Sequence, residues 1–361
     1  MNIHIFNSEN LYSFTFLSFL ERNFDLSSSK IVFRKKRSTR FNYSHYLNDR
    51  IIYTGNNFEF YSKLFAELKK TSGIFFHQLP YGPSLFVLNL FYQHLSKATW
   101  IIWGGDLYTY EQGNESPVKF VYELLRKRII QKIPRIAALI PGDFDLALKI
   151  YKPEAVFLQV AYPPPLDFFN YSGSADNSLQ KDEVRILIGN SGNSSNNHLE
   201  ILSKLRLVKD SNIRIFCPLS YSGDLVYINH VVNRGSELFG NKFVPLLNII
   251  EPAKYLDLLW KTDIAIMNHK RQQGLGNILP LLYFRKKVFI RSDTTTFHYL
   301  AGIGCRLFDI LTIDTFDDSS LSVDNGELIA NQEIIGNLLA EKNCIRMWEQ
   351  ILNQQKRCFE N

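Results

Sequence analysis

The chain has 361 residues, enough for two domains of ordinary size, and 45% of them are hydrophobic. This apolar content, together with 28 Phe and 18 Tyr, excludes a disordered chain. The net charge of +6 fits nucleotides, phospholipid headgroups or nucleic acid equally well, so it selects no partner.

The cysteines and the apolar runs predict a cytoplasmic protein. Cys217, Cys305, Cys344 and Cys358 show no CxxC spacing, and we interpret them as reduced thiols. The stretch MNIHIF lacks the regions of a signal peptide and is typical of a first strand. No run approaches the roughly eighteen apolar residues of a transmembrane helix.

Strand-like and helix-like segments alternate along the first half, which is the pattern of an α/β fold. The predicted strands are MNIHIF, KIVF, RIIYTG, GIFFHQL, TWIIWGG, RIAALIPG and AVFLQVAY. FEFYSKLFAELKKT and VKFVYELLRKRIIQKI have helical patterns between them. We therefore predict one Rossmann-like domain over residues 1–162.

Two polar side chains follow predicted strands of this half. Asp106 comes after the strand TWII and a Gly-Gly pair, and His77 ends the strand GIFFH. A carboxylate at the carboxyl end of a strand can act as general base on an acceptor hydroxyl, with the histidine as second choice. The alternatives are a turn cap for Asp106 and a structural role for His77.

The segment from Lys119 to Arg135 predicts a basic amphipathic helix. Apolar residues recur at helical spacing, and one glutamate accompanies six cations: Lys119, Arg126, Lys127, Arg128, Lys132 and Arg135. Such a helix can lie on an anionic membrane surface. The alternative is a surface helix whose apolar stripe packs on the sheet, which leaves the charge excess unexplained.

A change of composition separates the two halves. Three prolines and a polar stretch at 163–183 predict a linker, after which strand and helix patterns resume at 184–340. The strands are VRILIG, IRIFCPL, FVPLL, DIAIMNH and KKVFIRS, and residues 341–361 predict a C-terminal helix that packs back on the first domain. Two such halves resemble the GT-B architecture, α/β with two Rossmann-like domains that face each other across a cleft.

The loop GNSGNSSNNH links a predicted strand to a predicted helix. Its glycines allow a ligand close to the backbone, and its side chains offer neutral donors. The helix that follows presents N–H groups that suit phosphate. We predict a diphosphate cradle from Gly189, Asn190, Ser191, Gly192 and Asn196, the alternative being a plain βα turn.

A second polar loop, KRQQGLGN, again follows a strand and precedes a helix. Its candidate residues are Arg271, Gln272, Gln273, Gly274 and Gly276. Because parallel strands end at the same edge of a sheet, both loops are predicted to open there. Asp143 and Asp145 form a DxD arrangement that in other transferases holds a metal, but we interpret it as helix capping.

Four segments in the same order carry a family resemblance: WGGDLY, LIGNSGNSSNNH, CPLSYSG and RQQGLGN. They resemble the TDP-N-acetylfucosamine:lipid II N-acetylfucosaminyltransferases, the 4-acetamido-4,6-dideoxygalactose transferases of enterobacterial common antigen synthesis. The resemblance implies a GT-B enzyme with a TDP-sugar donor and an undecaprenyl-diphosphate-linked glycan acceptor. It also implies a peripheral position on the cytoplasmic face of the bacterial inner membrane.

The resemblance assigns the donor diphosphate to the two loops and adds His198, Tyr221 and Asn277 to that site. It assigns the acceptor to His77 and Asp106. We expect no metal or other cofactor, because neutral donors and helix N-termini can stabilise the leaving diphosphate. Asn193 and Asn197 stand where the family has acidic residues, so a related 6-deoxy amino sugar in O-antigen synthesis fits as well.

Two other function classes fit the same residues. A noncatalytic module would bind nucleotide sugar or lipid without turnover, and a GT-B-like sugar-nucleotide epimerase would need no lipid acceptor. Nucleic-acid binding is disfavoured, because the positive charge is concentrated on one helix with an apolar stripe.

Overall fold

The computed structural model describes residues 1–34, 41–54, 57–68, 70–114, 116–173, 183–324 and 326–357. The chain divides into two compact units. Unit 1 comprises Met1–Pro165 and Leu339–Asn361, and unit 2 comprises Leu166–Leu338. Cys358 and positions 174–182 of the predicted linker lie outside the described residues.

Unit 1 contains a parallel sheet with helices between its strands. The strands are β1 (Asn2–Phe6), β2 (Ser29–Phe33), β3 (Ile51–Tyr53), β4 (Gly73–His77), β5 (Ala98–Ile101), β6 (Arg135–Ala138) and β7 (Val156–Gln159). The helices are α1 (Leu11–Asn23), α2 (His45–Asn48), α3 (Asn57–Leu68), α4 (Ser84–Leu90), α5 (Pro117–Lys132) and α6 (Pro141–Tyr151). The strand order is β3-β2-β1-β4-β5-β6-β7, so the winding direction reverses between β1 and β4.

Unit 2 repeats this plan. Its strands are β8 (Val184–Ile188), β9 (Ile213–Pro218), β10 (Phe243–Leu246), β11 (Ile264–Met267), β12 (Lys287–Ile290) and β13 (Phe308–Asp309). Its helices are α7 (His198–Lys204), α8 (Leu225–Phe239), α9 (Pro252–Lys261), α10 (Leu275–Tyr283), α11 (Thr295–Gly302), α12 (Asp318–Leu321) and α13 (Ile329–Leu339). The order β10-β9-β8-β11-β12-β13 places the reversal between β8 and β11.

The strands are nearly continuous apolar runs because helices cover both faces of each parallel sheet. In unit 1, Ile3, Phe76 and Trp100 belong to one buried cluster. In unit 2, Ile186 and Ile266 belong to another. The strand backbones are paired within the sheets and their apolar side chains are packed in these clusters. Polar side chains therefore lie mainly at the strand ends.

The structure confirms the twelve predicted strands, and it adds β13, a two-residue strand too short for a periodic signal. It corrects the linker. Residues from Leu166 onward pack into unit 2, where Phe168 is buried and its ring centroid lies 5.1 Å from that of Tyr283. The segment DFFNY is aromatic, and this apolar surface is favourable to bury.

The C-terminal helix α14 (Glu341–Arg357) belongs to unit 1. Its Trp348 is fully buried, and the indole Nε1 donates to the carbonyl oxygen of Ala161 at 2.9 Å. The ring centroid lies 4.5 Å from that of Phe16 and 5.9 Å from that of His77. One aromatic side chain therefore joins the end of the chain to α1 and β4.

Replacing Trp348 with Ala is expected to destabilise unit 1 by about 3–5 kcal/mol, because a large buried ring leaves a cavity. Urea unfolding followed by circular dichroism measures the effect. Glu349→Ala, an exposed neighbour on the same helix, is the control and should change stability by less than about 0.5 kcal/mol. Equal effects of the two substitutions would contradict the anchoring role of Trp348.

Candidate functional site

The two polar loops of unit 2 meet at the centre of its sheet. β8 pairs in parallel with β11 on one side and with β9 on the other. In open α/β sheets, ligands bind outside the carboxyl ends of the strands where the winding direction reverses. The loop after β8 (189–197) and the loop after β11 (268–274) stand at that point.

Asn196 organises the first loop. Its side chain is fully buried. The amide oxygen accepts from the backbone N–H of Asn190 at 2.9 Å, and the amide nitrogen donates to the Ser191 hydroxyl at 3.2 Å and to the Asn193 carbonyl at 2.8 Å. One side chain therefore fixes the path of the loop.

Three side-chain contacts join the first loop to the second. His269 Nε2 donates to the Asn196 amide oxygen at 2.8 Å. Gln273 Nε2 donates to the Asn190 side-chain oxygen at 3.0 Å, and the Ser195 hydroxyl donates to the Gln273 oxygen at 2.6 Å. The predicted donors Asn190, Ser191, Asn196 and Gln273 are thus brought together.

The two histidines of this site are neutral at pH 7. Burial lowers the pKa of His198 to about 4 and that of His269 to about 3. Because the Asn196 amide oxygen can only accept, the proton of His269 is on Nε2. His198 Nδ1 lies 3.1 Å from the Tyr227 hydroxyl, whereas its buried Nε2 has no hydrogen-bond partner among the described residues.

The glycines let the loops approach closely. Gly189 has φ +66°, and a Cβ there would lie 2.7 Å from both the Asn196 amide oxygen and His198 Nε2. A Cβ on Gly274 would lie 2.8 Å from the His269 ring. Gly192 pairs with Gly223 of the loop after β9, where any side chain would collide with backbone.

Two arginines lie near these loops. Arg271 Nε donates to the Gln273 side-chain oxygen at 3.3 Å. Arg291 follows β12, pairs with Asp293 at 2.6 Å, and reaches the Asn268 side-chain oxygen at 3.5 Å. Sequence reasoning missed Arg291, although its position at the end of the strand KKVFI is the same signal that identified the other loops.

Of the other predicted donor residues, Tyr221 and Asn277 do not take part in the side-chain contacts between the two loops. The Tyr221 side chain is 70% exposed, and only its carbonyl contacts the first loop, by accepting from the Gly192 N–H at 3.1 Å. Asn277 points its amide at the Tyr255 hydroxyl, 2.7 Å away. Gln272 is buried, and Gly276 lies in the first turn of α10. The first N–H of α7, from His198, donates to the Tyr227 hydroxyl.

In unit 1, Asp106 is enclosed, which corrects the expectation that it faces an acceptor. Its carboxylate accepts from Leu79 N at 2.9 Å, Trp100 Nε1 at 2.6 Å and Trp103 N at 3.0 Å. Burial raises the pKa of Asp106, although the Arg126 charge and these hydrogen bonds oppose the shift. Asp106 therefore braces the turns after β4 and β5.

His77 is likewise enclosed. Its Nε2 lies 2.9 Å from His4 Nδ1, and its Nδ1 lies 2.5 Å from the Tyr162 hydroxyl, which also accepts from Trp103 Nε1 at 2.9 Å. Burial lowers the pKa of His77 well below its usual value. The geometry matches the structural alternative rather than an acceptor-facing base.

A carboxylate that sequence reasoning missed, Glu9, follows β1 at the reversal point of this sheet. Glu9 is partly exposed and accepts from the Tyr53 hydroxyl at 2.7 Å. Beside it, Asn7 Nδ2 donates to the Gln78 side-chain oxygen at 3.0 Å, and Gln78 has φ +77°. A strained non-glycine backbone of this kind is frequent at functional sites. The short strand MNIHIF, ended by NSE, was the available signal.

The structure also corrects the basic helix. Arg126 is fully buried and donates to the Thr109 hydroxyl at 2.6 Å. Arg135 lies in β6 and donates to the Thr99 hydroxyl at 3.0 Å. Both cations are therefore interior. Hydroxyl groups accept from both, although Arg126 Nε and Nη2 have no hydrogen-bond partner among the described residues. The remaining four are at least partly exposed: Lys119, Lys127, Arg128 and Lys132.

Two further searches cover the described residues alone. They contain no group of three His, Cys, Asp or Glu side chains arranged to hold a metal ion. None of their helices is long and apolar enough to cross a bilayer. Asp143 lies in the first turn of α6, whose N-cap is Ile140, so it contributes charge at the helix start rather than a side-chain cap.

Comparison with protein families gives a match over most of the chain. The model of the 4-alpha-L-fucosyltransferases, glycosyl transferase group 56, matches residues 62–298, more than half of the 361 residues. The matched range includes both polar loops of unit 2.

Solved glycosyltransferases share the fold. WaaG, a glycosyltransferase involved in lipopolysaccharide biosynthesis, is 10% identical with a TM-score of 0.64, covering 97% of this chain and 98% of its own. A glycosyltransferase from Rickettsia africae ESF-5 is 14% identical with a TM-score of 0.61, covering 100% and 98%. Sucrose-phosphate synthase from Thermosynechococcus elongatus is 9% identical with a TM-score of 0.70, covering 99% and 100%. The fold is therefore of the GT-B class, as predicted.

Asn196→Ala is expected to destabilise unit 2 by about 2–4 kcal/mol, because it leaves the Asn190 and His269 N–H donors unpaired. Asn193→Ala removes one hydrogen bond to Ser195 N at the loop surface and should cost about 1 kcal/mol. Urea unfolding of both variants measures the difference. If Asn193→Ala proved as damaging, Asn196 would not organise the loop.

Proposed function

The chain belongs to the 4-alpha-L-fucosyltransferase family, glycosyl transferase group 56, and we propose that it transfers a 6-deoxy amino sugar from a TDP-sugar to an undecaprenyl-diphosphate-linked saccharide. The sugar is 4-acetamido-4,6-dideoxygalactose or a relative, in enterobacterial common antigen or O-antigen synthesis. Membership makes the protein a glycosyltransferase, with a nucleotide-sugar donor and a glycan acceptor. The nucleotide, the sugar and the lipid linkage are the proposed part.

The observation that carries the proposal is the pair of glycine-bearing polar loops at the reversal point of the unit 2 sheet. Asn196 and His269 hold these loops in place before any ligand arrives. Pre-positioned donors stabilise the charge that develops on a leaving diphosphate without reorganisation. Arg271 supplies a cation to the same edge, and Arg291 lies there as an ion pair with Asp293.

The proposed reaction forms a bond between an acceptor oxygen and the anomeric carbon, and breaks the bond from that carbon to the diphosphate. TDP leaves with the electron pair of the broken bond. The acceptor hydroxyl loses a proton, for which we propose Glu9 as the receiving base. Glu9 follows the carboxyl end of a strand, as Asp106 and His77 do. The side chains of Asp106 and His77 are buried, whereas that of Glu9 is partly exposed.

The family match disfavours the two alternative classes. A noncatalytic module and a sugar-nucleotide epimerase would each share the loops, but group 56 is a family of transferases. We keep the proposal that the enzyme works without a metal, on the ground that neutral amides, hydroxyls and arginines surround the loops. We also propose a peripheral location on the cytoplasmic face of the bacterial inner membrane.

Thermal denaturation with TDP, UDP or GDP in the presence of EDTA tests the donor site. We expect selective stabilisation by TDP, of about 2.7 kcal/mol when the nucleotide is at a hundredfold excess over its Kd. Stabilisation by UDP or GDP instead would change the donor but keep the transferase. The absence of any shift, or a shift that appears only when magnesium replaces EDTA, would contradict the proposed metal-free site.

Glu9→Gln is expected to lower transfer to a lipid-linked acceptor by about 10²–10⁴-fold, because an amide cannot take up the proton. Stabilisation by TDP should persist, since the loops proposed to bind TDP belong to unit 2 and Glu9 belongs to unit 1. Glu154→Gln, an exposed residue before the amino end of β7, is the matched control. Turnover within a factor of a few of the unaltered enzyme would remove Glu9 from the reaction.

A further inference from the structure

Helices α4 and α5 of unit 1 lie side by side. The ring of Phe86 on α4 lies 6.0 Å from that of Tyr122 on α5, edge to face, and Asn89 Nδ2 donates to the Leu125 carbonyl at 3.4 Å. The inward sides of both helices are buried: Leu85 and Leu88 on α4, Arg126, Ile129 and Ile130 on α5. The inward residues of the two helices therefore supply the contacts with the rest of unit 1.

The outward sides of the same helices remain apolar. Six large hydrophobic side chains on them are 41–81% exposed, namely Phe86, Leu90, Val118, Phe120, Val121 and Leu124. We call these six the α4–α5 surface. Single exposed apolar residues are ordinary on soluble proteins, but six on two adjacent helices are typical of an interaction site.

Positive charge adjoins this surface along α5. Glu123 accepts from the Tyr151 hydroxyl at 2.7 Å and Arg126 is buried, so both charges of the inner side are engaged within the unit. Lys127 and Arg128 are exposed, and Lys119 and Lys132 partly so. Arg128 and Lys132 lie over the Tyr92 ring, at 4.7 and 5.6 Å from its centroid. The apolar half of the helix is therefore followed by a cationic half.

Other exposed apolar residues, in unit 2, have acidic neighbours instead of basic ones, and this difference bears on the choice of an anionic partner. Leu225, Val226 and Ile249 of unit 2 are 63–75% exposed, but the charged residues next to them in the chain are Asp224 and Glu251. An anionic surface would repel that group. It would attract the α4–α5 surface, whose apolar side chains can enter the headgroup layer while its cations meet the lipid phosphates.

We propose that the α4–α5 surface inserts into an anionic lipid bilayer and holds the protein at the membrane. The choice of a bilayer as partner rests on the proposed function, whereas the surface itself does not. Apolar insertion supplies the anchoring, and the four cations supply the preference for anionic lipid. The sequence-based interpretation was a single basic amphipathic helix with six cations. The structure differs because Arg126 and Arg135 are interior and because α4 contributes apolar side chains to the surface.

Cosedimentation of the full chain with lipid vesicles tests the proposal without any sugar substrate. The vesicles are phosphatidylcholine alone, or phosphatidylcholine with about one-third phosphatidylglycerol. We expect binding to the anionic vesicles that weakens with salt, and little binding to the neutral ones. Because no nucleotide or acceptor takes part, this result and the donor-site result can fail separately.

Three sets of substitutions separate the contributions. The triple change Leu90→Ser, Val121→Ser and Leu124→Ser should lower binding to anionic vesicles by about tenfold or more, since it removes half of the inserted side chains. The pair Lys127→Ser and Arg128→Ser should reduce the preference for anionic over neutral vesicles. The matched control, Leu225→Ser with Ile249→Ser, should bind as the unaltered chain does.

Two results would overturn the proposal. One is binding that the triple change leaves intact, or no binding to anionic vesicles at all. The other is self-association: sedimentation velocity would then show a dimer that the triple change dissociates, which would assign the α4–α5 surface to a second copy of the chain. All the substituted residues are exposed, so loss of binding with retained circular dichroism and thermal stability reports on the surface and not on folding.

Discussion

The loops of unit 2 depend on one buried amide. Asn196 accepts from the backbone of its own loop and from His269 of the neighbouring loop, so two segments far apart in sequence share a single acceptor atom. The arrangement requires that His269 be neutral, because a buried imidazolium would carry an uncompensated charge. Burial lowers its pKa to about 3 and meets that requirement. A site fixed in this way needs little rearrangement when an anion arrives.

Polar side chains at strand ends have two different fates in this chain. In unit 2, Asn190 and Gln273 pair with each other at the loop surface, where both stay partly exposed. In unit 1, Asp106 and His77 are surrounded by donors and aromatic rings from adjacent turns. The difference is burial: a carboxylate enclosed with three N–H donors stabilises the turns that supply them, and a partly exposed carboxylate such as Glu9 remains within reach of solvent and solutes.

From the sequence we can predict which strand, helix or loop carries a residue better than we can predict whether its side chain points inward or outward. Apolar runs ended by Gly, Asn or Asp locate the strands and the loops that follow them, because parallel strands are buried on both faces. The same runs do not show what covers each strand end. Arg126 belongs to a basic stripe in sequence, yet it points inward to Thr109. Such contacts join residues whose proximity only the tertiary fold creates, so no local pattern indicates them.

Under the proposed function, the chain must handle two reactants with opposite solubility. A nucleotide sugar is charged and diffuses in water, so it calls for a rigid polar site such as the one that Asn196 organises. A lipid-linked saccharide stays in the bilayer, so an enzyme that floats freely in solution would meet it rarely. The α4–α5 surface answers the second demand with residues that take no part in the first. The core beneath this surface contains inward residues such as Leu85 and Ile129, and the six outward side chains do not belong to it. Their exposure lowers solubility, and contact with an external partner offsets that cost.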